Sequence, residues 1–450
     1  SLFTDRAITY REAKGFDHLR VALSVGVQKM VRSDRACAGV LFTLDTDSGF
    51  PDLVTLEASW GLGESVVSGA VDPDEIQVFA PLLEREGVAP IVGRKIGEKA
   101  TRIVYSDAPD ETTRREETPA AERARLCLDE AEILQLARWG GAIEAHYGAP
   151  MDVEWAKDGD TGRIFVVQAR PETVHSQRAP QTLRTFELQE RGEPLVTGLA
   201  IGSAVGAGPS FVLHAASEGE RFEAGGVLVT ERTDPDWVPI MRRAAAIVTD
   251  HGGRTSHAAI VSRELGVPAV IGAGDATAVL EDGRELTVSC AEGEEGRVYA
   301  GRLRFEAQDL DLSSIPATET KVMVNLANPE AGLRWWSLPA DGVGLARMEF
   351  IVGQVIRVHP MALVRFEQVE DEADRRTIDA LTRGYDDRRE YFVESLARGV
   401  AKIAASRHPN PVIVRFSDFK TNEYAALLGG RSFEPAEENP MLGFRGASRY

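Results

Sequence analysis

Gly252-Gly-Arg-Thr-Ser-His-Ala-Ala259 sets one histidine, His257, behind two glycines and an arginine and ahead of a run with helical periodicity. Thr255 and Ser256 are good N-cap residues, Ala258, Ile260, Val261 and Leu265 form an apolar stripe, and Gly266 with Pro268 ends the run. His257 is therefore expected in the first turn of a short helix. Free backbone N–H groups and the positive end of the helix dipole favour anions there, so a phosphoryl group on the imidazole would be stabilised from behind. Gly252 and Gly253 clear the space in front, and Arg254 is a guanidinium suited to phosphate oxygens. A histidine at a helix start can equally be a packing residue. His251, in the same loop, precedes the glycines and lacks a helix behind it, which suits a polar or structural role.

Asp152-Val-Glu154 and Gln168-Ala-Arg170 stand on what read as consecutive strands. Alternation puts Asp152 with Glu154 on one face, and Gln168 with Arg170 on one face. Carboxylate and amide oxygens suit magnesium, and the arginine suits the phosphates that magnesium bridges. The spacing is satisfied just as well by a solvated hairpin. Arg347 follows Gly342-Val-Gly-Leu-Ala, and Arg415 ends Pro411-Val-Ile-Val. Two arginines at strand ends could hold a carboxylate and a phosphate together; singly, each could be a surface ion pair. The glycines of Ser59-Trp-Gly-Leu-Gly-Glu64 and Gly69-Ala-Val-Asp-Pro-Asp-Glu75 are weak signals, since such glycines usually mark plain turns.

The elements around these residues alternate in type. Between Val21 and Val78, apolar strands such as 38–44 and 53–58 alternate with turns. Asp129 and Glu132 make a capping box that opens a helix closed by Gly148 and Pro150. Strands at 151–156 and 163–168 follow. Residues 171–185 read as a polar linker, then strands at 226–230, 245–249, 269–271, 285–289 and 297–299 frame the His257 helix. A second polar link spans 308–320. The last part opens with a strand at 322–326, a helix around 329–337 and a strand at 342–345. It continues with a long charged helical region at 362–405 and a strand at 411–416, the alternation of a (β/α) barrel.

With 450 residues, about three domains are expected. The net charge of −19 argues against nucleic acid or an anionic membrane as partner, so local arginines must supply any phosphate binding. Cys37, Cys127 and Cys290 are widely spaced and form no metal or redox pattern, which suits a reduced, cytoplasmic setting. No apolar run approaches the roughly 20 residues that span a bilayer.

The order of motifs resembles the phosphoenolpyruvate synthase (pyruvate, water dikinase) branch of the phosphoenolpyruvate-utilising enzymes along essentially the whole chain. The matching stretches, besides the His257 motif, are Val21 to Asp34, Gly61-Leu-Gly-Glu64, Asp152 to Lys157 and Val167-Gln-Ala-Arg-Pro-Glu-Thr173. Gly342 to Arg347, Arg415-Phe-Ser-Asp-Phe-Lys-Thr-Asn-Glu-Tyr424 and Glu438-Asn-Pro-Met-Leu-Gly-Phe-Arg-Gly446 complete the set. The resemblance implies an α/β multidomain chain. Residues 1–177 would be the C-terminal portion of an ATP-grasp nucleotide-binding domain, 183–305 a swivelling phosphohistidine domain, and 318–450 the first part of a (β/α)8 barrel binding pyruvate or phosphoenolpyruvate. His257 would attack the β-phosphorus of ATP, water would remove the outer phosphate, and the remaining phosphoryl group would pass to the enolate of pyruvate.

Residue by residue, Glu154, Gln168 and Arg170 match nucleotide positions, with Glu154 and Gln168 also on magnesium, and Arg347 with Arg415 match substrate-binding arginines. Thr255 matches a threonine modified by a regulatory kinase or phosphorylase, and a homodimer is among the partners the resemblance allows. Parts of the family pattern would lie before Ser1 and after Tyr450, so no full turnover is expected of these residues in isolation. None of the three cysteines matches the family's proton donor. The linkers at 171–185 and 308–320 would be hinges. Pyruvate, phosphate dikinase, a rifampicin-type phosphotransferase and a non-catalytic phosphocarrier are the competing readings; the Arg347 and Arg415 segments argue against the second.

Overall fold

The computed structural model describes the chain apart from residues 1, 2, 5, 6, 9, 10, 13–15, 19, 23, 107, 109, 110, 173–181, 191, 255, 317, 437–443, 445 and 450. Its first unit is built on β1 (Cys37–Phe42), β2 (Leu53–Trp60), β3 (Asp74–Phe79) and β4 (Ile91–Lys95), a hairpin of β5 (Thr101–Tyr105) with β6 (Thr113–Glu117), and β7 (Met151–Lys157) with β8 (Ile164–Pro171). The main sheet is six-stranded and antiparallel, in the order β4-β3-β2-β1-β7-β8. Its apolar face carries Leu41, Leu56, Met151, Val153 and Trp155 against Ile133, Leu136 and Ala137 of the helix Glu130–Tyr147. That helix starts on the Asp129/Glu132 capping box and stops at Gly148 in the left-handed region. Residues 21, 22 and 24–32, expected to contribute to the strand pattern, have no regular structure, and Val25 and Val27 are exposed. Without a neighbouring strand to cover them, their apolar side chains do not define a sheet face.

β9 (Thr182–Leu188) pairs antiparallel with β17 (Phe305–Asp311). Between them lies a closed seven-stranded barrel of β10 (Val196–Ile201), β11 (Val205–Val212), β12 (Val227–Thr230), β13 (Ala246–Thr249), β14 (Ala269–Ile271), β15 (Glu285–Ser289) and β16 (Glu295–Ala300). Alternation divides its side chains: Val227, Val229, Ala246, Val248 and Val270 fill the inside, while Leu228, Ile247 and Ile271 pack outward on Ala258, Ala259 and Val261. The sequence reading placed 182–185 and 308–311 in linkers. They are instead a paired ribbon, with Arg184 3.4 Å from Asp309 and the Phe186 and Phe305 rings 6.3 Å apart. A two-stranded ribbon buries neither face, so its polar composition looks like that of a loop.

The last unit has three parallel strands, β18 (Val324–Leu326), β19 (Val343–Arg347) and β20 (Val412–Arg415). The charged region expected as one long helical stretch is broken into Pro360–Val364, Glu372–Leu381 and Arg388–Ala405, the last two restarted by Asp371 and Asp387 as N-caps. This unit shares a core with the first sheet, where Leu333 and Ala405 join Phe50, Leu53, Phe79 and Val92. Among the described residues no helix is long and apolar enough to cross a membrane.

Candidate active site

With Met151, Val153 and Trp155 committed to the core, Asp152 and Glu154 must face the other side of the first sheet. Register sets Glu154 opposite Gln168 and Asp152 opposite Arg170, so all four residues share that face. Arg170 is already engaged, its Nε and Nη2 donating to Asp152 Oδ2 at 2.7 and 2.6 Å. Burial pushes the Asp152 carboxyl above the usual carboxylate range against the pull of Arg170, and Glu172 adds to the rise. The polar row continues through Val40 to Glu57, Glu75 and Lys95 on β1 to β4.

Among the described residues no group of three His, Cys, Asp or Glu side chains could hold a metal by itself. A carboxylate and an amide oxygen in register are nevertheless the donor set that magnesium uses when phosphates and water complete its shell.

The His257 loop docks across a cleft of about 1480 Å³ whose walls include Glu57 and Glu75 of the first sheet and Gly252, Arg254 and Ser256 of the second unit. Ser256 caps the helix His257–Leu265, its Oγ accepting from Ala259 N at 3.4 Å, and Gly266 ends it at φ 68°. The half-buried His257 is thus the first helical residue. Its Nδ1 lies 2.9 Å from Oγ1 of Thr233, itself buried in the loop after β12. In the tautomer in which Nδ1–H donates to Thr233, Nε2 is the ring nitrogen that bears the lone pair.

A side chain on Gly69, whose φ is +66°, would come within 2.6 Å of Ser256 Cα, so the turn before β3 abuts the helix start. Arg254, expected to face phosphate, forms an ion pair with Asp47, and Arg263 pairs with the same carboxylate. His251 keeps to a loop role, donating from its backbone to Glu231 and accepting from Thr249 Oγ1 at 2.9 Å each. Thr255 lies outside the described residues.

Arg347 and Arg415 stand side by side in register at the C-terminal ends of β19 and β20. Glu349 sits beneath them, 7% exposed, and takes Arg415 Nη2 on Oε1, which also accepts from Asp418 N at 3.0 Å. Asp418 is a second partner of Arg415 at 3.6 Å. Arg347 is exposed and makes no ion pair among the described residues. Two carboxylates gathered on Arg415 let the neighbouring cations coexist, and exposed Arg347 is the guanidinium left to meet an anion. Neither arginine lines the cleft, and neither does His257; Glu154, Gln168 and Arg170 stand on the same sheet face as Glu57 but beyond its walls. Most of the 438–446 motif, including Arg445, lies outside the described residues.

Three family descriptions match in succession: "Pyruvate phosphate dikinase, AMP/ATP-binding domain" over residues 1–190, "PEP-utilising enzyme, mobile domain" over 222–293, and "PEP-utilising enzyme, PEP-binding domain" over 305–450. The chain belongs to the PEP-utilising enzyme family. Curated relatives named phosphoenolpyruvate synthase match all of it, at 52% identity in Synechocystis, 51% in Escherichia coli and 47% in Aquifex aeolicus. This PEP-utilising chain spans 56%, 57% and 59% of those relatives' own lengths. A solved structure of Enzyme I is 33% identical over 18% of this chain and 31% of its own, with a TM-score of 0.16, too low to bear on the fold.

Four residues of this PEP-utilising chain escaped the sequence reading. Thr233 is 24 positions from His257, and Asp47 is 207 and 216 positions from its arginines, separations that carry no local signal. Arg263 lies in the His257 helix but reads as a solvated helix end. Glu349 was the accessible one, two residues after Arg347 in a run that is otherwise apolar.

Proposed function

We propose that this chain carries the phosphohistidine and substrate-anchoring parts of a phosphoenolpyruvate synthase, converting ATP, pyruvate and water to AMP, phosphoenolpyruvate and phosphate. The observation that carries the reading is the His257 loop itself: a capped helix start, with the ring held at Nδ1 by Thr233, docked on the polar face of the sheet that bears Glu154, Gln168 and Arg170. His257 Nε2 attacks the β-phosphorus of ATP and AMP leaves. Water then takes the outer phosphate, and the phosphoryl group left on Nε2 passes to the enolate oxygen of pyruvate.

The helix N-terminus stabilises the phosphoryl oxygens at each stage. Arg170 binds nucleotide phosphate once it is released from Asp152. Glu154 and Gln168 are the oxygen donors that would hold magnesium, which supplies charge neutralisation on the polyphosphate when bound. Arg347 and Arg415 bind the carboxylate and the transferred phosphate of the second substrate.

Glu154, Gln168 and Arg170 stand on the first unit and the arginine pair on the third, so one imidazole serves both only if the second unit moves. Of the two hinges expected at 171–185 and 308–320, the first falls largely outside the described residues, and the second is proposed for the stretch after β17, at 312–316 and 318–320. Modification of Thr255 would add charge beside His257 and repel an incoming phosphate. The test is an acceptor assay on the full-length protein and its His257→Ala variant. The reading requires AMP, phosphate and phosphoenolpyruvate in equal amounts from the wild type and none from the variant. Pyrophosphate made only when phosphate is supplied would assign a dikinase of the phosphate-dependent kind instead.

A further inference from the structure

The second unit meets the first through charge, whereas the first and third meet through a core. Both buried clusters of the barrel unit draw only on residues between Leu195 and Val298. Phe50, Leu53, Phe79 and Val92 of the first unit, by contrast, are buried together with Leu333 and Ala405 of the third. At the charged contact, one carboxylate takes two guanidiniums: Asp47, in the loop between β1 and β2, pairs with Arg254 and Arg263. The loop is braced by Asp45, which accepts from Ser48 N at 2.8 Å, Ser48 Oγ at 2.6 Å and Gln77 Nε2 at 3.4 Å.

The two arginines act as one piece, since Arg263 Nη1 donates to the Arg254 carbonyl at 2.5 Å. Arg263 is almost wholly buried, its side chain 7% exposed. Burial lowers its guanidinium to about 10, with Asp45, Glu57 and Glu172 pulling the other way, so it is still a cation at neutral pH. A buried cation that finds its anion across the contact favours that one orientation, whereas half-buried Arg254 keeps a second, more distant partner in its own unit, Glu294 at 3.8 Å. Arg254 lies three positions before His257 and Arg263 stands in the helix that His257 begins, so fixing the two arginines fixes the helix start that carries the ring.

We propose that Asp47 is the positioning residue that docks the His257 loop on the nucleotide-binding face, through Arg254 and Arg263, for transfer from ATP and not for transfer to pyruvate. The proposal rests on the phosphohistidine reading above. It also accounts for a joint that must open: ion pairs reform in water at little cost, while an apolar core does not.

The test uses the full-length protein with Asp47→Asn and Asp47→Glu. Asp47→Asn should slow single-turnover formation of phosphohistidine from ATP by about tenfold to a hundredfold, the effect of a small misplacement of a reacting group. Binding of a non-hydrolysable ATP analogue, and discharge to pyruvate of His257 loaded from phosphoenolpyruvate, should each change by less than about twofold, the scale of an untouched step. Asp47→Glu should recover most of the first rate, and amide exchange over residues 252–263 should quicken in Asp47→Asn without nucleotide.

An unchanged first rate would overturn the proposal, as would an equal loss in the pyruvate step or in analogue binding. If wild-type protein forms no phosphohistidine, the reading of His257 fails. Docking is then judged by amide exchange alone, and unchanged protection in Asp47→Asn overturns it separately.

Discussion

Under the proposed function, Glu349→Gln should weaken the hold on pyruvate and spare the ATP half of the reaction. The carboxylate is buried, and its Oε1 receives both the Arg415 guanidinium and the Asp418 N–H. Hydrogen bonds to charged groups contribute about 1.5–3 kcal/mol. The Arg415 side chain is 43% exposed, so water replaces part of what is lost and the lower figure applies. About 1.5 kcal/mol corresponds to roughly tenfold.

Stability should change less than binding. Glu349 Oε2 has no hydrogen-bond partner among the described residues, so the substitution also removes a buried, unsatisfied charged oxygen, and the two effects offset. The assay is discharge of preloaded phosphohistidine against pyruvate concentration: half-saturation should rise about tenfold, with the rate of His257 phosphorylation from ATP unchanged. A pyruvate dependence within about twofold of wild type would refute the role of Glu349 in holding Arg415. So would parallel loss in both half-reactions.

Thr233→Val should slow phosphorylation of His257 about three- to tenfold, the worth of one neutral hydrogen bond, and Thr233→Ser should restore it; rapid-quench kinetics measure both. Asp152 titrates higher in the folded protein than in the unfolded one, so folding favours its protonated form, and its contribution to stability falls as pH rises from the ordinary value near 4 through the raised one. Asp152→Asn should therefore flatten the stability profile across that window and raise the melting temperature more at pH 7 than at pH 4, read by thermal denaturation. Thr185 and Gln308 are partners in the ribbon, so a disulfide from Thr185→Cys with Gln308→Cys should leave turnover intact. Loss of turnover in the oxidised form alone would mean that the ribbon itself opens.

The parts of the site that were legible in the sequence are those whose signals are local. Ser256, Gly266 and the apolar positions between them define the helix that presents His257, although Ala259 takes the buried place expected of Ile260. The Asp129/Glu132 box and the pairs Asp152 with Glu154 and Gln168 with Arg170 are each local signals too, whereas the register is what brings the two pairs onto one face.

β10 and β11 were missed because they carry glycines where strands need bulk. Side chains on Gly206 and Gly208 would strike the carbonyls of Ala245 and Gly225 at 2.1 Å each, so glycine there serves the barrel's close packing while it reads locally as a turn. The Asp47 latch and the β9·β17 ribbon join residues more than a hundred positions apart, and only the closed fold brings their partners together. Arg254 is expected to face phosphate by residue type, yet its partner in this conformation is a carboxylate, a choice set by how the units dock.

The most direct measurement follows the phosphoryl group through His257. Full-length protein is incubated with magnesium and ATP labelled at the β-phosphate, the acid-labile label on the peptide containing His257 is counted, and pyruvate is then added. The account requires label on His257 that disappears on the chase and is recovered in phosphoenolpyruvate. Label that stays on the protein would contradict the assignment of pyruvate as acceptor, and no label on His257 would contradict the account at its centre.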